Sequence, residues 1–114
     1  EFRRIANTVE RIRQTKGNIN IENLASEACL SRKQFERNFS EYIGVSPKKY
    51  LRIIRFQASI YFKSRNDEVS LTELAYENGY YDQSHFINDY RGMTGLTPKQ
   101  FFDDCETTMS DFFE

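Results

Sequence analysis

Cysteine, histidine and glycine are scarce in this 114-residue chain, and each scarcity removes a class of function. The two cysteines, Cys29 and Cys105, stand far apart with no CxxC spacing. A cysteine-based zinc module and a disulfide scaffold are therefore excluded, and reduced thiols in a cytoplasmic protein are the expectation. A single histidine, His85, rules out most histidine-dependent metal sites, HExxH included. Ser84, His85 and Asp82 cannot form a triad, because helix residues one and two apart do not face each other. The five glycines are Gly17, Gly44, Gly79, Gly92 and Gly95, too dispersed for a phosphate-binding loop. No catalysis, metal or cofactor is expected. No apolar run approaches the ~18 residues that cross a bilayer, and no secretory signal is visible, so no membrane partner is expected. The first residue is Glu1 rather than Met, which suggests a piece of something longer.

Charge of either sign is abundant but unevenly placed. Lys and Arg total 16, Asp and Glu total 17, and the formal net charge is -1. Residues 1–51 carry ten basic and six acidic groups, and residues 52–66 carry four basic and no acidic ones. Residues 67–102 carry only Arg91 and Lys99 against six acids, and the last twelve residues hold five acids and no base. A polyanion would be drawn to the first half and the middle. Ordinary surface charge with an acidic tail is the plainer reading of the same numbers.

All strong periodicities are helical. Phe2, Ile5, Val9 and Ile12 recur at three and four residues and form one amphipathic face ending near Gly17. Asn20 can cap a short helix through Leu24 and Ala28. Ser31-Arg32-Lys33-Gln34 fits a capping box, in which two side chains satisfy otherwise orphaned N–H groups. The helix it opens has Phe35, Phe39, Tyr42 and Ile43 as its apolar face, and Gly44 ends it. Pro47 suits the first position of a long helix, where its missing N–H costs nothing. That helix is expected to run to about Arg65 and span about 30 Å. Its apolar residues, from Tyr50 to Phe62 and including Tyr61, cover more than one face, as in a connector packed between two lobes. Ser70-Leu71-Thr72-Glu73 is a second capping box, and Asp82 can cap a helix with Phe86, Tyr90 and Met93 inward. Thr97-Pro98-Lys99-Gln100 caps a last helix carrying Phe101 and Phe102. The fold class is all-α, with about seven helices.

The chain repeats itself. Leu24-Ala25-x-Glu27 parallels Leu74-Ala75-x-Glu77, and Gly44-Val45-Ser46-Pro47-Lys48 parallels Gly95-Leu96-Thr97-Pro98-Lys99. Between them, Phe35 and Phe39 parallel Phe86 and Tyr90. Each copy reads as short helix, tight turn, longer helix, which is the helix-turn-helix arrangement whose second helix can enter a major groove. Residues 1–45 and 67–104 are the two expected subdomains, 46–66 the connector helix and 105–114 an acidic tail. Opposite the first apolar face lie Lys33 and Arg37, flanked by Glu36 and Ser40. Opposite the second lie Ser84, Asn88 and Arg91, with Gln83 in the first turn and His85 to one side. Most of these side chains can bond base edges or phosphate. A polar face turned to water is what any one helix shows; the duplication is what raises the DNA reading. A connector of about 30 Å also suits the roughly 34 Å between successive major grooves on one side of a duplex.

Glu77-Asn78-Gly79-Tyr80-Tyr81-Asp82-Gln83-Ser84-His85-Phe86, followed by Gly95-Leu96-Thr97-Pro98, resembles the DNA-binding domain of AraC/XylS-type transcriptional regulators. Arg52-Ile53-Ile54-Arg55-Phe56-Gln57-Ala58 resembles that family's connector helix, and the likeness covers residues 4–102. It implies two helix-turn-helix subdomains on a long helix, binding adjacent major grooves of double-stranded DNA in a bacterial transcription regulator. It implies that Lys33, Glu36 and Arg37 read bases in one groove and Gln83, Ser84 and Asn88 in the other. Arg32 and His85 complete the candidate base contacts. Ser31, Lys48, Lys49, Arg52, Arg91 and Lys99 are the candidate phosphate contacts, which fix register without specifying sequence. An upstream sensor or dimerisation domain of the same chain, and RNA polymerase, are the further partners implied.

Cys29 stands where the family's first turn has glycine, and Asn88 where arginine is frequent. With the acidic second lobe, this places most of the expected affinity in the first lobe and the connector. A helical protein-interaction module that has lost DNA binding is the alternative. Tyr80 and Tyr81 are expected to pack in the core and turn, and Phe112 and Phe113 to dock weakly or stay disordered.

Overall fold

The computed structural model describes residues 2–104. Seven α-helices and no strands occur among them: α1 (Phe2–Gln14), α2 (Ile21–Glu27), α3 (Arg32–Ile43), α4 (Pro47–Arg65), α5 (Leu71–Glu77), α6 (Gln83–Thr94) and α7 (Pro98–Asp104). Cys105, Phe112, Phe113 and the acidic tail lie outside the described residues.

The helix starts follow from local chemistry. Asn20 accepts from the Asn23 N–H at 2.7 Å, and Asp82 accepts from the His85 N–H at 2.8 Å. Ser70 and Glu73 close a full capping box. Thr97 and Gln100 do the same, the Gln100 N–H reaching Thr97 Oγ1 at 3.2 Å and the Thr97 N–H reaching Gln100 Oε1 at 3.0 Å. The box expected at Ser31 forms only by half. Ser31 accepts from the Gln34 N–H at 3.1 Å, but the Gln34 amide turns forward and donates to Asn38 Oδ1 at 3.2 Å. A partner one turn on, on a buried residue, outcompetes the solvated cap.

Packing divides the chain into two units, one through Arg55 and the other from Phe56. In the first, Ile5, Ile12, Leu24, Phe35, Phe39 and Leu51 form a closed apolar core. Gly17 carries α1 against α4 within this unit. Its φ is +80°, and an added Cβ would lie 2.7 Å from the Leu51 carbonyl oxygen. Arg55 donates to the Gly17 carbonyl at 3.0 Å and seals the approach.

The second core is aromatic. Tyr90 lies fully buried among Phe56, Phe86, Phe101 and Phe102, with ring centroids 4.8 to 5.7 Å away. Its hydroxyl meets Ser59 Oγ at 2.5 Å. Burial pushes this phenol well above the ordinary tyrosine range, against the opposing pull of the Ser59 hydrogen bond.

Helix α4 uses more than one apolar face, as its pattern predicts, and the residues of each face are grouped along its length. Leu51, with Tyr50 and Ile54, joins the first core; Ile60, with Phe56 and Phe62, joins the second. Tyr61 stays exposed, with the Arg65 guanidinium 5.0 Å above its ring. Tyr42 is also exposed, and meets the Phe2 ring edge-on at 5.6 Å. Tyr80 packs inward as expected, whereas Tyr81 is 91% exposed.

Candidate nucleic-acid interface

In the first unit, α2 and α3 are joined through Ala28, Cys29 and Leu30. Cys29 holds φ +59°, the left-handed conformation that Gly79 holds at +77° in the second unit. The two turns thus share a shape despite the substitution. L-residues adopt that shape at a cost, because Cβ crowds the following carbonyl. The turn fixes where α3 starts, and the inward anchors Phe35 and Phe39 fix which side of it faces water.

On that outer side, Lys33 and Arg37 are both exposed, one turn apart. Arg32 and Glu36 behave differently. The Arg32 guanidinium bonds Glu22 of α2 and lies 3.4 Å from Glu36 of its own helix. These two candidate base contacts therefore hold each other in the unbound protein. Ser31 serves as the cap of α3, with its hydroxyl engaged by the helix. Lys48 and Lys49 are exposed in the first turn of α4, and Arg52 is half-buried one turn further on.

The second unit repeats this layout 51 residues later. Gln83, Ser84 and Asn88 are exposed at the places of Arg32, Lys33 and Arg37, and Arg91 is exposed beyond them. Lys99, at the place of Lys48, is exposed and pairs with Asp103 at 3.0 Å. His85 does not join the outer row. Its Nδ1 accepts from the Tyr81 N–H at 3.3 Å, its Nε2 lies 3.8 Å from Asp89 Oδ2, and its ring meets Tyr80 edge-on at 5.2 Å. It braces the turn.

Sequence reasoning missed two features here. Asn38 and Asp89 are buried polar residues at the same place in the two copies. Ile87 stands, half-exposed, at the place of Glu36. The offset of 51 pairs both sets, so carrying the repeat through every position would have found them. Among the described residues no cluster of metal-ligating side chains occurs, and no helix is long and apolar enough to cross a membrane.

Two short-helix, turn and longer-helix units, each presenting polar side chains on the outside of its longer helix, define a helix-turn-helix domain of the transcription-regulator class. The family model described as a helix-turn-helix domain matches residues 24–104. The chain belongs to this family, in its AraC/XylS-type form. It is 31% identical over 90 residues to an HTH-type transcriptional regulator of Haemophilus influenzae, covering 79% of this chain and 30% of that protein. It is 29% identical over 108 residues to the XylDLEGF operon transcriptional activator of Pseudomonas putida, covering 92% of this chain and 33% of that one. The transcriptional activator RhaS of Escherichia coli shares 28% identity over 81 residues, covering 71% of this chain and 29% of RhaS. This chain thus spans about a third of the length of these curated relatives. Among solved structures, the DNA-binding domain of the global transcriptional factor AdpA, in complex with a target DNA, matches with TM-score 0.79 and 21% identity. That match covers 91% of this chain and 94% of the AdpA chain, and it bears on the fold alone.

Proposed function

We propose that this chain binds double-stranded DNA in a sequence-specific manner, with α3 and α6 as reading helices placed in adjacent major grooves. One observation carries the reading: the outer rows of α3 and α6 match in register, Lys33 with Ser84 and Arg37 with Asn88, and all four side chains are exposed. The matching inward anchors, Phe35 with Phe86 and Phe39 with Tyr90, turn the same positions outward in both copies, and in both copies those positions carry groups able to bond bases. Lys33 and Arg37 suit guanine, whose O6 and N7 accept from cationic donors, and Asn88 suits adenine. Arg32 and Glu36 read bases only after their ion pairs open. His85 holds the turn that aims α6.

Lys48, Lys49, Arg52, Arg91 and Lys99 supply phosphate contacts that set register, and Ser31 adds a helix start. Basic groups are concentrated in residues 1–66, so the first unit and α4 carry most of the affinity. In the whole protein this domain answers to an upstream sensor or dimerisation domain and acts on RNA polymerase in the bacterial cytoplasm.

The test is selection from a random duplex library followed by a salt titration. Specific binding through several phosphates weakens steeply, with a slope of about -0.9 per neutralised phosphate. Failure to enrich any duplex, or a flat salt response, overturns the proposal and favours a helical protein-interaction module.

A further inference from the structure

The two reading helices share a register but differ at one place on the outer face. With about 3.6 residues per turn, Ile87 lies on the arc between Gln83 and Asn88, one turn after Gln83. The matching position of α3 is Glu36, whose carboxylate is drawn to Arg32. Ile87 has no such partner class available. Its neighbour at the place of Arg32 is the neutral Gln83.

Ile87 is half-exposed, and it stands outside the shell of partly buried apolar side chains packed against the second core, namely Phe56, Phe62, Val69, Leu71 and Phe101. It borders a cleft of about 260 Å³ whose apolar lining is Leu71, Phe86 and Pro98, so one flank of the side chain has apolar neighbours while part of it stays open to water. The part left in water gains from any apolar surface brought to it. In a major groove the one apolar group that a base presents is the 5-methyl of thymine.

We propose that Ile87 is a specificity-determining residue that recognises a thymine methyl, so that the two copies read different base chemistry at one shared position. This inference rests on the DNA-binding reading above. Glu36, once released from Arg32, accepts from a cytosine amino group. Ile87 buries a methyl and gains nothing from cytosine.

The experiment uses this chain and a duplex selected by it. Each thymine is replaced in turn by deoxyuridine, which removes the 5-methyl and leaves every hydrogen-bonding group in place. Binding is measured for the unaltered chain, for Ile87→Val and for Ile87→Ala. One thymine is expected whose demethylation weakens binding about fourfold, the size of one buried carbon. Ile87→Val retains that sensitivity and Ile87→Ala loses it. Because the readout is the ratio of thymine to uracil binding within each variant, a general loss of stability does not imitate it.

A selected duplex indifferent to every demethylation overturns this inference and leaves the DNA-binding reading standing. So does a methyl effect that persists unchanged in Ile87→Ala. Failure to select any duplex overturns both.

Discussion

Asn38 and Asp89 occupy the same place in the two copies, each buried on the inner side of its reading helix and each facing a side chain one turn earlier. In the first unit the earlier residue is Gln34, whose amide donates to Asn38 at 3.2 Å. In the second it is His85, with its Nε2 3.8 Å from Asp89 Oδ2. The repeat has kept a polar pair inside each reading helix while exchanging both of its members. A buried polar group must be partnered, and the pair also fixes the first turn of the helix against its own middle.

Exchange of these pairs is therefore expected to be tolerated better than their disruption. The double substitution His85→Gln with Asp89→Asn installs the first unit's pair in the second. Asp89→Ala alone is expected to cost about 1 kcal/mol, since His85 is partly exposed and water can take the place of the carboxylate beside it, and the double substitution less. Denaturant melts of the two variants decide this; equal losses would break the equivalence.

Lys33→Ala and Arg37→Ala are each expected to weaken specific DNA binding by about 1–3 kcal/mol, with unchanged helix content. Arg32→Ala should weaken it less, since Arg32 is already committed to Glu22 and Glu36. Both acids are exposed, so its loss should cost no more than about 1 kcal/mol of stability. Gel-shift titrations and circular dichroism on the three variants check the ranking.

Backbone conformation separates two further substitutions. Gly17→Ala places a Cβ at φ +80° and 2.7 Å from the Leu51 carbonyl oxygen, with no flexible atom to yield. A loss of roughly 2 kcal/mol or more is expected. Cys29→Gly should do the reverse, raising stability by about 0.5–1 kcal/mol as the left-handed turn loses its steric cost. Thermal melts with opposite shifts are the expected result.

Tyr90 gives the fold a dependence on alkaline pH. The folded protein holds this proton more tightly than an unfolded chain, whose tyrosines release theirs near pH 10.0. The stabilisation is complete below that pH and is lost as pH rises beyond it. Tyr90→Phe should melt with a shallower decline above pH 10.0. At neutral pH it should be weaker by on the order of 1 kcal/mol, from the lost bond to Ser59. Parallel declines in the two proteins would contradict the assignment.

What could be read from the sequence was local. Asn20, Ser70, Asp82 and Thr97 mark helix starts because a cap and its N–H lie within three residues, and all four bind as their patterns imply. Gly44 and Gly95 mark helix ends for the same reason. What was not legible depended on distance. The ion pair of Arg32 with Glu22 joins two helices across ten residues, so no local pattern announces it. Gln34 was assigned to a cap because nothing local shows that Asn38 is buried. Tyr42 and Tyr61 carry apolar rings at helical spacing, yet their exposure is decided by which neighbours reach them.

The boundary between the two cores, Arg55 to Phe56, falls in the middle of α4, within one unbroken ladder of backbone hydrogen bonds. Each core takes its own stretch of α4, Tyr50 to Ile54 for the first and Phe56 to Phe62 for the second. A fragment that stops short of its stretch loses core side chains, so the point of division, rather than the sequence repeat, decides whether either half folds.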